Sequence, residues 1–162
     1  MPNLPWLEYA GQSTAALIAA KETHRIDSIL CAFEQAVQRK LELEQALSEE
    51  EMLILAVEAL EREVNNGGYH QFFVNSPLFA GSIADFLQPI GCERVAAITK
   101  KALERLAPAG LSADAVLNAA LPEDAVRDEF LTKCDQEYYS TLEIEPALFH
   151  FLEDNASRIH LP

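Results

Sequence analysis

The run Asn65-Asn66-Gly67-Gly68, followed by Tyr69-His70-Gln71-Phe72-Phe73, constrains this chain more than any other stretch. Asparagine and glycine tolerate the left-handed conformation that ends helices, so four in a row predict a helix stop. Three aromatic residues among the next five bring a large apolar payload that has to be buried at once. His70, Gln71 and, slightly further on, Asn75 carry polar groups that need partners if they go inside. The stretch reads as a structural corner made of Asn66, Gly67, Gly68, Tyr69, Gln71, Phe72, Phe73 and Asn75. The competing reading is a pocket or catalytic site at His70 and Gln71.

The corner follows the clearest helical pattern in the sequence. Ser48-Glu49-Glu50-Glu51 is a capping box, in which Ser48 caps the backbone and Glu51 reaches back. From there to about Val64, the residues Leu53, Ala56, Val57, Leu60 and Val64 share one face. Glu50, Glu51, Glu58 and Glu61 gather on the opposite face, with Ile54 among them. Upstream, Trp6, Leu7 and Tyr9 lie in an arm expected to dock on the body, and a short helix follows Ser13 or Thr14. An amphipathic helix from about Thr23 places Ile26, Leu30, Phe33, Val37 and Leu41 on its buried side. Residues Leu41 to Leu47 either continue that helix or bend it.

Downstream, Ser76-Pro77 breaks the chain. Helices are expected from Ile83 to Ile90, ending at Gly91, from Val95 to Leu106, and from Ser112 to Ala120. A helix after Glu123 would bury Val126, Phe130, Leu131, Cys134, Tyr138 and Leu142, and Pro146 suits the first residue of a last helix. Neither strand-like alternation nor an internal repeat is present. The expectation is an all-α fold, a single compact domain of about seven helices. Residues 1–43 would form an arm and helices packed on the body, and 44–162 the main helical part.

Charge narrows the function. With 26 acids against 12 bases the formal net charge is −14, which excludes generic binding to nucleic acid or to an anionic membrane. The excess sits in two segments: residues 41–65 hold eight acids and only Arg62, and residues 122–154 hold ten acids against Arg127 and Lys133. In a helix, eight acids over 25 residues give one charge per roughly 5 Å. A DNA strand carries one per about 3.4 Å, a linear density of the same order. The candidate partner-binding residues are Glu50, Glu51, Glu58 and Glu61 in the first segment, and Glu123, Asp124, Asp128, Glu129, Asp135 and Glu137 in the second. The plain alternative is that these are solvated surface.

Other chemistry is absent from the pattern. Asn66-Gly67-Gly68 follows a helix and lacks the lysine of a phosphate loop, and no His-x-x-x-His or Glu-x-x-His pair occurs. No serine or cysteine sits in a nucleophile setting. No catalytic role, cofactor or metal is therefore expected. Cys31, Cys92 and Cys134 are odd in number and far apart, which predicts reduced, mostly buried thiols. With no base before Lys21 the start is a poor signal peptide, and no stretch is long enough to span a membrane. The expected setting is cytoplasmic.

The run from Glu61 to Asn75, as Glu-x-x-Val-x-Asn-Gly-Gly-Tyr-x-Gln-Phe-Phe-x-Asn, resembles the signature of the bacterial DNA-mimic protein family. Leu87-x-x-Ile90-Gly91 and Asp135-x-Glu137-x-Tyr139 extend the likeness over roughly Glu44 to Arg158, with Tyr69 where Phe is more usual. The resemblance implies an all-helical, often dimeric protein whose carboxylates stand in for DNA phosphates. They would occupy the DNA-binding face of a basic partner, a transcription regulator or nucleoid protein. Two other classes stay open: an interaction or immunity-type protein using the aromatic corner, and an enzyme with a pocket at His70.

Overall fold

The computed structural model describes residues 3–141 and 143–162. Every regular element among them is a helix, so the chain is all-α as expected. Nine α-helices are present among the described residues, where the sequence pattern suggested about seven. Short helices form between Pro77 and Leu87, where the sequence shows one break and one apolar run. Backbone contacts gather into two compact units, Met1–Glu58 with Glu145–Pro162, and Ala59–Ile144.

The first unit holds α1 (Thr14–Ala19), α2 (Ile26–Glu42), the opening of α3 (Glu49–Asn75) and nearly all of α9 (Ile144–Asp154). Ser13 caps α1 by accepting from the Ala16 N–H at 3.2 Å. Thr14 donates its hydroxyl to the Ile159 carbonyl at 2.8 Å, tying the start of the unit to its end. Leu7 is buried, and its N–H donates to Ser28 Oγ at 3.0 Å. Trp6 stays outside, under the Arg25 guanidinium. Leu30, Phe33 and Val37 of α2 are buried. Leu41 is exposed, because the helix stops one residue later and the chain leaves through Glu44 at φ 56°. Pro146 falls in the first turn of α9, where an N–H has no helical partner to lose.

The second unit carries the rest of α3, then α4 (Pro77–Ala80), α5 (Ile83–Leu87), α6 (Glu93–Leu106), α7 (Ala113–Ala120) and α8 (Ala125–Tyr139). Pro77 opens α4 at a position that needs no backbone donor. Helix α6 is the hub and packs on α5, α7 and α8, while α4 packs on α7. Its buried stripe of Val95, Ile98, Thr99, Ala102 and Leu106 follows a helical period. On α8, Leu131, Cys134 and Tyr138 are buried and Phe130 is half-buried, beneath Lys101 and Arg105 of α6. Val126 is a correction: expected in the core, it is 68% exposed, because it sits in the first turn of α8, above the residues that pack. Leu142, assigned to the same side, lies outside the described residues.

Candidate functional site

The Asn-Gly run stops the helix as expected: α3 is two helices that meet at a kink, and a new one starts straight after it. Within α3 only Gly68 leaves helical geometry, at φ 81° and ψ −176°, and the helix resumes with Tyr69. In a straight helix Glu63 and Asn75 would stand roughly 18 Å apart along the axis. Here the Glu63 carboxylate accepts from Asn75 Nδ2 at 2.9 Å and from Gln71 Nε2 at 2.8 Å, so the second segment folds back across the first. Burial alone would raise the Glu63 pKa, but Gln71, Asn75 and neighbouring Arg62 outweigh it and hold the carboxyl below its ordinary value.

The left-handed φ at Gly68 is one that an L-residue adopts only at a cost. The site forbids a side chain a second time: a Cβ there would lie 2.6 Å from Asp135 Cγ. That space is needed because Asp135 caps the resumed helix, accepting from the Tyr69 N–H at 2.7 Å. Burial raises the Asp135 pKa, against the pull of that N–H and of His70. The aromatic payload goes inside: Tyr69, Phe72 and Phe73 are fully buried. Tyr69 meets Tyr138 edge-on at 5.9 Å, and its hydroxyl shares a hydrogen bond of 2.7 Å with Thr99. Tyr139 of α8 donates to the Val64 carbonyl at 2.7 Å, just before the bend.

His70 is committed to the same scaffold. Its Nε2 donates to the Ala120 carbonyl at 2.9 Å. Cys92 and Cys134 are buried free thiols, and burial pushes the Cys92 pKa up to about 11, away from the thiolate that a nucleophile needs. Among the described residues no group of three or more His, Cys, Asp or Glu could hold a metal ion. No helix among them is long and apolar enough to cross a membrane.

From Glu50 onward the first acidic segment faces inward, whereas Glu42, Glu44 and Glu49 before it are exposed. Residues 53–60 of α3 are all buried, so the face opposite Leu53 and Val57 is not solvent. Ile54 among the acids was the sign of this in the sequence. Glu51 is 0% exposed: its carboxylate pairs with Lys40 Nζ at 2.8 Å, closes the capping box on the Ser48 N–H, and accepts from the His160 N–H at 2.7 Å. Burial pushes its pKa up, yet Lys40 and the two N–H groups prevail and lower it. Glu50 pairs with Arg158 at 3.2 Å and is largely covered. Glu58 is buried, and Glu61 accepts from the Tyr138 hydroxyl, with a pKa raised by burial. The expected solvent-facing stripe of Glu50, Glu51, Glu58 and Glu61 is therefore corrected.

The second segment faces outward, with one exception. Glu123, Asp124, Glu129 and Glu137 are exposed and Asp128 half-exposed; Asp135 is turned to the bend. Asp124 caps α8 by accepting from the Arg127 N–H at 2.9 Å. Glu129 and Glu137 make exposed pairs with Lys133 at 3.5 Å and Lys101 at 2.6 Å, contacts worth little in water. Sequence reasoning passed over Glu63, Lys40 and Arg127. Glu63 follows the last assigned glutamate, Glu61, by two residues and lies off the acidic face, and Lys40 precedes Glu51 by eleven residues and belongs to another helix.

Fold and site define a class: an acidic, all-α protein organised around two helices that meet at a glycine kink, with one set of carboxylates committed to the interior and another left at the surface. The chain belongs to the DMP19-like protein family, whose model matches residues 45–155. No curated protein and no solved structure matches it.

Proposed function

We propose that this protein is an acidic decoy that binds a basic DNA-binding protein, a transcription regulator or nucleoid protein, and blocks its DNA site. The observation that carries this reading is the set of solvent-facing carboxylates at the start of α8 and on it, Glu123 and Asp124 before its first turn and Asp128, Glu129 and Glu137 within it. Five acids over 15 residues average one charge per roughly 5 Å, of the order of DNA phosphates, with gaps of one to eight residues between them. Membership in a family of DNA mimics and the net charge of −14 support it. Such a surface steers a basic partner in and weakens with salt. The α3 acids serve folding in this reading, and α8 does the binding.

The test is a tagged pull-down from source-cell lysate at low and moderate salt. The control carries Glu123→Gln, Glu129→Gln and Glu137→Gln and is checked for fold by circular dichroism. The expected result is a DNA-binding protein captured by the native chain, released by salt and missed by the control. Equal retention by both proteins would overturn the reading.

A further inference from the structure

The connection between α7 and α8 is held from beneath more firmly than its length requires. Arg127 is only 6% exposed, and its guanidinium donates to the Ala119 carbonyl at 2.8 Å and the Pro122 carbonyl at 3.0 Å. The Ala120 carbonyl between them is taken by His70, and Asp124 closes the far end as helix cap. A buried arginine, a histidine and a cap thus fix the backbone of six residues.

What this frame displays is apolar. Leu121, inside this stretch, is 60% exposed, and Val126, two residues past the Asp124 cap in α8, is 68% exposed. Single exposed apolar residues are ordinary on a protein surface. Two of them five residues apart, one on the fixed connection and one in the first turn of the helix it leads into, with the exposed Glu123, Asp124 and Glu129 interleaved in sequence, are a different arrangement. Glu123 has no ion-pair partner among the described residues, and the only base within the segment, Arg127, is turned inward. The combination is that of an interface centre: apolar anchors ringed by charge, on a backbone whose ordering cost is already met.

We propose that residues 121–129 are a pre-formed docking edge for a basic segment of the partner that carries large apolar side chains among its lysines or arginines. The inference rests on the acidic-decoy reading above and adds to it a second recognition element: the acids attract, and Leu121 and Val126 select. A partner offering charge alone would bind more weakly than one that also covers the two apolar side chains. Covering two such residues accounts for an affinity difference of at least about tenfold.

The test uses the full chain and two fluorescein-labelled peptides of equal positive charge, one of lysine and leucine, the other with each leucine replaced by serine. Their affinities are measured for the native protein and for the Leu121→Ser, Val126→Ser double variant. Both positions are exposed, so the variant is expected to keep its circular dichroism and melting temperature. The native chain should bind the leucine peptide about tenfold more tightly than the serine peptide. The variant should bind both at the serine peptide's affinity. Amide shifts induced by the leucine peptide should centre on residues 121–129. If the native chain binds both peptides alike, or the variant still discriminates, the docking edge is overturned while the decoy reading stands. If neither peptide binds the native chain, both are overturned.

Discussion

The two acidic segments carry nearly the same charge and do opposite things with it. Along α3 beyond the exposed Glu49 the carboxylates point into the protein, where Glu51, Glu61 and Glu63 meet Lys40, backbone N–H groups, Tyr138, Gln71 and Asn75. Along α8 most of them face water or exposed lysines. A count of acids per residue cannot separate these cases. What separates them is what surrounds the helix: α3 is enclosed on all sides between 53 and 60, whereas α8 buries only a strip. An enclosed helix keeps a carboxylate only where a partner meets it.

Mutation should expose the contrast most strongly at Glu51. Glu51→Ala strands the Lys40 ammonium and frees two N–H groups, and urea titration should show a loss of about 3–5 kcal/mol. A loss under about 1 kcal/mol would mean that the interior role is misassigned. Next comes the bend. Gly68→Ala forces a side chain into a left-handed φ and against Asp135, at an expected cost of about 2–4 kcal/mol. With Asp135→Ala already present the added cost should shrink, since the colliding carboxylate is gone; strict additivity would refute the contact. On α8 the largest effect should come from Asp124→Ala, which removes a helix cap and costs about 1 kcal/mol in thermal unfolding.

Within α3, Glu51 and Glu61 give a sharper pair, because their pKa values move in opposite directions. Glu51 is lowered in the fold, so its contribution is present above the unfolded glutamate value of about 4.3 and fades as pH falls through its lower folded value. Glu61 is raised, so the native chain holds that proton more tightly. Its contribution is full below about 4.3 and is lost as pH rises through the folded value. Glu51→Gln should therefore hurt most at neutral pH, with the gap closing in acid. Glu61→Gln should be neutral or slightly stabilising at neutral pH and lose that advantage on acidification. Parallel pH profiles for the two variants would contradict the assignment. The smallest effect belongs to the outward acids: Glu123→Gln and Glu129→Gln should change stability by no more than about 0.5 kcal/mol while weakening salt-sensitive binding.

Local rules made much of the helical layout legible. The α2 stripe as far as Val37 and the Ser48–Glu51 box rest on interactions within a few residues, and these hold in the structure, while Pro146 falls two residues past the start of α9 and not at it. The surroundings of those elements were not legible. The same Glu51 that closes a cap also meets Lys40 from another helix, and no helical spacing forecasts that contact. Gly68 was recognised as a left-handed residue, but the resumption of the helix depends on Asp135, 67 residues further on. Val126 fits the period of α8 yet has nothing over it, since period says where a side chain points and not what it meets.

The bend at Gly68 has a consequence for descent. Its geometry is enforced by sterics and by a carboxylate from α8, so a lineage has little room to alter the glycine or its cap. Exposed positions such as Glu123, Val126 and Glu129 are tolerant, because changing them leaves folding nearly untouched. Kinship seen through the glycine motif therefore reports how a chain bends. Chains that share the glycine motif can thus differ in what the surface of α8 presents without leaving the family.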